Sequence, residues 1–366
     1  LDLHTIGAGG GSIAWADPGG LLKVGPHSAG ANPGPALYGL GGVDATVTDA
    51  NVVLGRLSGA ALIGGAMTVY PEKSHAAMAR LGARIGLDPI ATAAGIIEIV
   101  NVNMMGAVRA VSIEKGEDPR HYALAAFGGA GPLHAAGVAV EMGMDTVVVP
   151  TRPGILSALG LLDADVRGDF SVTRLAPLVE GSADALRDGA EMLAVRGAAW
   201  REAEGLDAAS ATTTWTADLR YAGQAFELMA EIPAQAGDPV FDAETLSDLI
   251  AQFHRHHESV NGYAMDGHAV ELVNLRLSIG AIRPPAGGVE PLGGGAAGIA
   301  VARPVWFPET GFVDTPVRDR ASLASGDIVS GPMIVEQMDT TLVIPPFATA
   351  IVQPDGDLIL RLGKGA

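Results

Sequence analysis

Between residues 122 and 162 the chain alternates strand-like and helix-like runs joined by only a few residues, and this narrows the choice of fold more than any other feature. Residues 122–127 form an apolar run that meets three glycines within Gly128-Gly129-Ala130-Gly131. Pro132 follows, a residue whose fixed φ and missing N–H suit the first turn of a helix, and the helical pattern continues to about Met142. Residues 146–149, Thr-Val-Val-Val, read as a strand covered on both faces. Pro153-Gly154 opens another helix that ends near Leu162. Strand, helix, strand, helix with short connections predicts an α/β layer.

The flanks extend this pattern. Ile13-Ala14-Trp15 and Leu21-Leu22-Lys23-Val24 predict a hairpin around Asp17-Pro18-Gly19-Gly20. Residues 74–86 read as a helix. Asp88 caps a longer one with Pro89 at its first position, and Ile90, Ile97, Met104 and Val111 give it one continuous buried stripe. After about Arg167 the alternation is lost. Helices are expected over 183–204 and 243–260, and strands over 212–219, 225–232, 270–279, 333–336, 342–344, 348–352 and 358–361. The expected division is therefore residues 1–167, an α/β lobe, and 168–366, a strand-rich α+β domain. Residues 284–298 read as a hinge or surface loop within the second.

Composition sets outer limits. Hydrophobic residues make up 48% of the 366, enough for a sizeable core, while 50 glycines and 5% aromatics imply close backbone approaches. A net charge of −18 argues against nucleic acid or an anionic membrane as partner. Cysteine is absent, which excludes disulfides and thiol nucleophiles. No run reaches the roughly 18 apolar residues of a membrane span, and the cytoplasm is the expected compartment.

Several stretches are candidates for chemistry. Gly128, Gly129, Gly131 and Pro132 place free backbone N–H groups at a helix start, suited to a nucleotide; they also suit a tight turn in which glycine only avoids a clash. Gly9, Gly10, Gly11 and Ser12 follow a run expected to be a strand, residues 3–6; they form either a substrate or anion loop or a loop packed against another backbone. Asp2 and His4 would share a strand face, as a catalytic or cation-binding pair or as a structural one. Asp49 reads either as part of a helix cap or as a contact to substrate or Mg²⁺. His134 in its helix's first turn is a neutral group near the ligand or a surface histidine. His254, His256 and His257 look like metal ligands but are expected on a solvated helix face, with no metal bound, and Glu336 and Asp339 are expected in a surface turn.

Taken in order, the motifs resemble the hydantoinase A/oxoprolinase family, which includes related ketone carboxylase subunits. The resemblance rests on residues 2–14, on Val24-Gly25-Pro26-His27 through Tyr38-Gly39, on residues 45–50, and on Phe127 through His134. It continues through residues 149–160, Arg220-Tyr221-Ala222-Gly223-Gln224, residues 271–276 and 331–336. One departure is Leu37, where the family pattern has cysteine. The resemblance implies part of an actin-like ATPase lobe followed by a strand-rich domain. It also implies ATP and Mg²⁺ as cofactors and a hydantoinase B-type partner subunit in an oligomer. The implied activity is ATP-coupled opening of a cyclic amide or imide, with a ketone carboxylase subunit or a non-catalytic scaffold as alternatives. The resemblance implies adenosine binding for Gly128–Pro132, beside the anion or substrate loop at Gly9–Ser12 and the catalytic candidates His4 and Asp49 read from the residues themselves. The family's Asp-Gly-Gly-Thr phosphate loops have no counterpart in this sequence. The chain is expected to be the later part of a longer subunit, and by itself neither to hydrolyse ATP nor to bind it tightly.

Overall fold

The computed structural model describes residues 3–207, 211–235, 237–281 and 301–363. Seven α-helices lie among them: α1 (Val47–Val53), α2 (Pro71–Ile85), α3 (Pro89–Val111), α4 (Gly131–Glu141), α5 (Leu156–Asp163), α6 (Ala183–Ala203) and α7 (Ala243–Asn261). The caps explain several boundaries. Asp88 accepts hydrogen bonds from the N–H groups of Ile90 and Ala91 at 2.8 and 2.9 Å, with Pro89 behind it. Asp242 caps α7 through Thr245 N–H at 2.8 Å.

The chain folds as two compact units, and their division is not the expected one at Arg167. One takes in Leu1–Leu159 together with Val289–Ala366, the other Gly160–Gly288. A single sheet shows why. The strand Thr146–Val149 pairs in parallel with Leu124–Ala125 on one side and antiparallel with Leu358–Leu362 on the other. Ala348–Val352 and then Ile328–Ser330 complete five strands. Leu358, Leu360 and Leu362 alternate inward and share a core with Ala135, Val138 and Ala139 of α4. The valine run is buried as expected, and of its two strand neighbours one is parallel and the other, antiparallel, comes from two hundred residues away. Two strands not foreseen in the sequence, Val301–Phe307 and Gly311–Asp319, head a second sheet with Met333–Gln337 and Thr340–Ile344.

The stripe on α3 is buried only in its first half. Ala93, Ile96, Ile97 and Val100 pack against α1 and α2, whereas Val102 and Val111 are exposed. The expectation that no segment could span a membrane also needs correction. Among the described residues one helix, Pro89–Lys115, is long and apolar enough by length and composition.

The other unit is a two-layer α+β domain. Its four-stranded antiparallel sheet runs in the order Val166–Pro177, Val270–Ala281, Ala211–Tyr221, Leu228–Ile232, and α6 and α7 cover one face. Here the expected solvated histidine face of α7 is corrected. His257 is fully buried, its Nδ1 2.7 Å from Tyr263 O, and His254 Nδ1 lies 2.6 Å from the Tyr221 hydroxyl. Both belong to an aromatic cluster with Tyr221 and Phe253, because the bulky rings of the sheet need partners on the helix above. The stretch 284–298 lies outside the described residues.

Candidate functional site

A cleft of about 760 Å³ opens in the first unit, and both glycine segments singled out in the sequence stand on its walls. Gly10 and Gly11 line one side, Gly129 and Ala130 another, and Glu336 through Thr341 a third. Tyr38, Thr48, Asn51 and a short segment around Ile63 also line it.

The turn at Gly128 takes φ +83°, a conformation that side-chain-bearing residues rarely adopt. Gly128 N–H donates to Pro153 O at 2.7 Å, and Thr340 Oγ1 donates to Gly129 O at 3.0 Å. A Cβ at Gly128 would meet nothing within 4 Å, so its glycine answers to φ rather than to crowding. α4 begins at once, with Pro132 in its first turn and no side chain capping its free N–H groups.

The other loop is built differently. The N–H and hydroxyl of Thr48 both donate to Gly10 O, at 2.8 and 2.9 Å, and Ala29 N–H donates to Gly11 O at 2.8 Å. A Cβ on Gly10 would stand 2.7 Å from Thr48 Oγ1, and one on Gly11 2.8 Å from Ser28 Oγ. These two glycines permit the start of α1 and a neighbouring strand to approach, while Gly9 has open space around it. Ser12 is buried, its hydroxyl bridging Gly9 N–H at 3.0 Å and Gly7 O at 3.2 Å, so it holds the loop's shape and does not face the cleft.

The two catalytic candidates stand apart from the cleft. Asp49 is fully buried. Its carboxylate accepts five hydrogen bonds, from the N–H groups of Ala36, Leu37 and Thr46 and the hydroxyls of Thr46 and Ser74, at 2.6–3.2 Å. Both oxygens are occupied, so Asp49 fastens the 34–38 turn to α1 and α2 and cannot touch substrate or Mg²⁺. Leu37 beside it is also fully buried, which makes the family's cysteine position a core position. His4 is exposed on an irregular segment where a strand was expected, and Asp2 lies outside the described residues.

Other groups reach the site in places the sequence did not foretell. Asp339 sits with Met338 in the tight turn between Met333–Gln337 and Thr340–Ile344, and it overhangs the cleft instead of open surface. Its Oδ1 is buried without a hydrogen-bond partner, and the carboxylate packs where a Cβ on Gly154 would stand. Glu336, the other acidic residue expected in a surface turn, lies on the strand and pairs with Arg303 at 2.6 Å. Asn51 lines the cleft with a buried Oδ1 that has no partner, its Nδ2 bonding Val47 O at 3.0 Å. The same Nδ2 lies 3.5 Å from Nε2 of His134, whose Nδ1 is 2.9 Å from Asn101 Oδ1. Burial, reinforced by the Arg56 charge, pushes His134 down to about 3, so the ring is neutral. Tyr38, also on the lining, has its phenol raised by burial and by the Asp49 charge, and stays a hydrogen-bond donor.

Comparison with known proteins places this geometry among relatives. A hydantoinase/oxoprolinase model matches residues 1–170, and a model of the hydantoinase/oxoprolinase C-terminal domain matches residues 180–359. That boundary follows the order of the chain, whereas the strands after residue 300 fold back onto the first unit. The chain is 36% identical to caprolactamase subunit alpha of Pseudomonas jessenii, over 99% of this chain and 53% of that one. It is 30% identical to the acetophenone carboxylase gamma subunit of Aromatoleum aromaticum, over 98% of this chain and 50% of that one. It is 29% identical to 5-oxoprolinase 1 of Arabidopsis thaliana, over 99% of this chain and 29% of that one. The crystal structure of the ATP-dependent caprolactamase from Pseudomonas jessenii superposes with a TM-score of 0.82 at 34% identity, covering 100% of this chain and 53% of that one. The chain spans about half the length, or less, of these relatives.

Proposed function

The chain belongs to the hydantoinase/oxoprolinase family, and from that premise we propose that it is part of an ATP-dependent enzyme that opens a cyclic amide, with the cleft as the nucleotide's side of the site. The observation that carries this reading is the meeting of the turn at Gly128–Gly131 and the loop at Gly10–Gly11 on the walls of one cleft. Under this reading the turn lies against the adenosine, where the uncapped N–H groups of α4 meet electron-rich atoms. The unpartnered Oδ1 atoms of Asn51 and Asp339 accept from ribose hydroxyls or the base amino group, which satisfies two buried acceptors that are otherwise costly. Among the described residues no group of three or more His, Asp or Glu side chains is arranged for a metal, so Mg²⁺ would enter on the phosphates. ATP bound there would supply a phosphoryl group to the amide oxygen with release of ADP, and water adding to the activated carbon would then break the C–N bond and release phosphate. We further propose an actin-like ATPase lobe, a hydantoinase B-type partner and a cytoplasmic oligomer.

The second reading, an ATP-dependent ketone carboxylase subunit, is favoured by the 30% identity to the acetophenone carboxylase gamma subunit. One experiment separates these readings and tests both. In the intact protein, ATP hydrolysis stimulated by a lactam supports the hydrolase, and hydrolysis that requires a ketone and bicarbonate supports the carboxylase. Stimulation by neither leaves a scaffold. Gly129→Val should weaken ATP binding at least tenfold, because the branched side chain enters the cleft beside Asp339 O, 3.4 Å from where its Cβ would stand. Unchanged affinity in a folded variant would remove the turn from the nucleotide site.

A further inference from the structure

A second cavity, of about 380 Å³, lies in the same unit on the far side of His134 from Asn51. Its size falls within the range of ligand sites, roughly 300–1,000 Å³. Ile97, Val140, Trp306, Phe307 and Phe347 give it apolar walls. Arg56 contributes the one guanidinium of the lining and is only 8% exposed. Its Nε has no hydrogen-bond partner, and although the charge of Glu309 acts on it, its side chain makes no ion pair among the described residues. A buried cation without a direct ion pair is among the most costly groups a core can hold, and an anion bound against it would offset that cost.

The charge is present and its position is fixed. Burial lowers the Arg56 guanidinium to about 10, with Glu309 pulling the other way, so it remains protonated at neutral pH. Arg303 clamps the backbone beneath it, its Nη2 donating to Arg56 O at 2.9 Å and its Nε to Gly55 O at 2.7 Å. His134, held neutral, adds no second positive charge. The mouth carries the opposite sign: Glu98, Glu141 and Glu309 line the cavity and are all exposed. A multiply charged anion such as a phosphate ester would be repelled there. A planar carboxylate matches the fork of the guanidinium.

We propose that this cavity binds an ω-amino acid, its carboxylate paired with Arg56, its methylene chain on the apolar walls and its ammonium among Glu98, Glu141 and Glu309. Opening a lactam yields this class of molecule. That link rests on the cyclic-amide reading above, whereas the site itself does not.

The test is calorimetry on the intact protein with 6-aminohexanoate, hexanoate and hexylamine, each with and without ATP. The first should bind, hexanoate at least tenfold more weakly, and hexylamine without measurable heat. Arg56→Met should weaken 6-aminohexanoate at least tenfold and leave ATP affinity unchanged. Val140→Trp, on the exposed edge of the wall, should do the same by filling the space, and it decides the matter if the Arg56 variant does not fold. The proposal is overturned if 6-aminohexanoate does not bind, or binds either variant as well as the unaltered protein. Equal affinity for hexanoate overturns the placing of the ammonium at the mouth, and with it the ω-amino acid. Loss of 6-aminohexanoate binding in Gly129→Val would move the ligand to the cleft and overturn the second site. Failure of ATP binding with 6-aminohexanoate still bound would sink the nucleotide reading alone.

Discussion

Two buried polar residues show how much a single side chain decides in this protein. Asp49 satisfies five donors at once, so removing its carboxylate strands buried N–H and hydroxyl groups that have no other partner nearby. Asp49→Ala should therefore cost about 3 kcal/mol or more in urea unfolding. If the variant is as stable as the parent, the carboxylate is not the fastener described. His134 makes a prediction about pH. Burial holds its folded value at about 3, against the ordinary histidine value of 6.5, so the unfolded chain takes up a proton between those pH values and the native state does not. Stability is undiminished above pH 6.5 and falls as the pH drops toward 3. Between pH 7 and pH 5 the loss should be about 2 kcal/mol, at 1.36 kcal/mol per pH unit below 6.5. His134→Gln should flatten that slope in denaturant titrations at the two pH values. An unchanged slope would assign it to other groups.

At the scale of elements, the end of α1 illustrates a helix that finds its caps far away in sequence. Trp306 N–H donates to Leu54 O at 2.9 Å, and Arg303 holds the next two carbonyls. Gly55 makes this approach possible: it takes φ +73°, and a Cβ there would stand 2.0 Å from Pro304 O. Gly55→Ala should destabilise the unit by roughly 2–5 kcal/mol, from backbone strain and a clash with a carbonyl that cannot move away. Thermal unfolding monitored by circular dichroism checks this, and a shift in Tm of less than a few degrees would contradict it. The motif Arg220-Tyr221-Ala222-Gly223-Gln224 acts likewise within the second unit. Tyr221 is fully buried, accepts from Met265 N–H at 2.8 Å and packs edge-on against Phe253 and His257.

For the whole molecule, the route of the chain predicts which pieces are independent. Residues 160–281 contain a complete sheet, two covering helices and a closed core. Expressed alone, that segment should unfold cooperatively, with Trp215 giving a near-ultraviolet signal. Residues 1–159 alone should not, because Thr146–Val149 loses Leu358–Leu362 and α4 loses the wall formed by Leu342, Ile344 and Ala350. A cooperative transition in residues 1–159 alone would show that the C-terminal strands are dispensable.

Local signals were legible because they act over a few residues. Asp88 with Pro89, the turn around Asp17–Gly20, and the period of the valine and leucine runs set element type wherever they occur. The glycine turn before Pro132 and the loop at Gly9–Gly11 were likewise visible, since a missing Cβ leaves its mark in the sequence. Long-range pairing leaves no such mark. Nothing local tells the run 358–362 to lie beside 146–149, or 301–307 to cap α1, and the missed strands 301–307 and 311–319 follow from that. The same reason explains why Asp49 and Asp339 exchanged their expected places. A carboxylate's role depends on which donors the fold gathers around it, and five gather around Asp49 while none reaches Asp339 Oδ1. The sequence by itself determined most of the helices, several of their caps and the glycines that admit close approach. Only the tertiary structure decided which of them share a cleft, because burial and hydrogen-bond competition are settled between residues far apart in the chain.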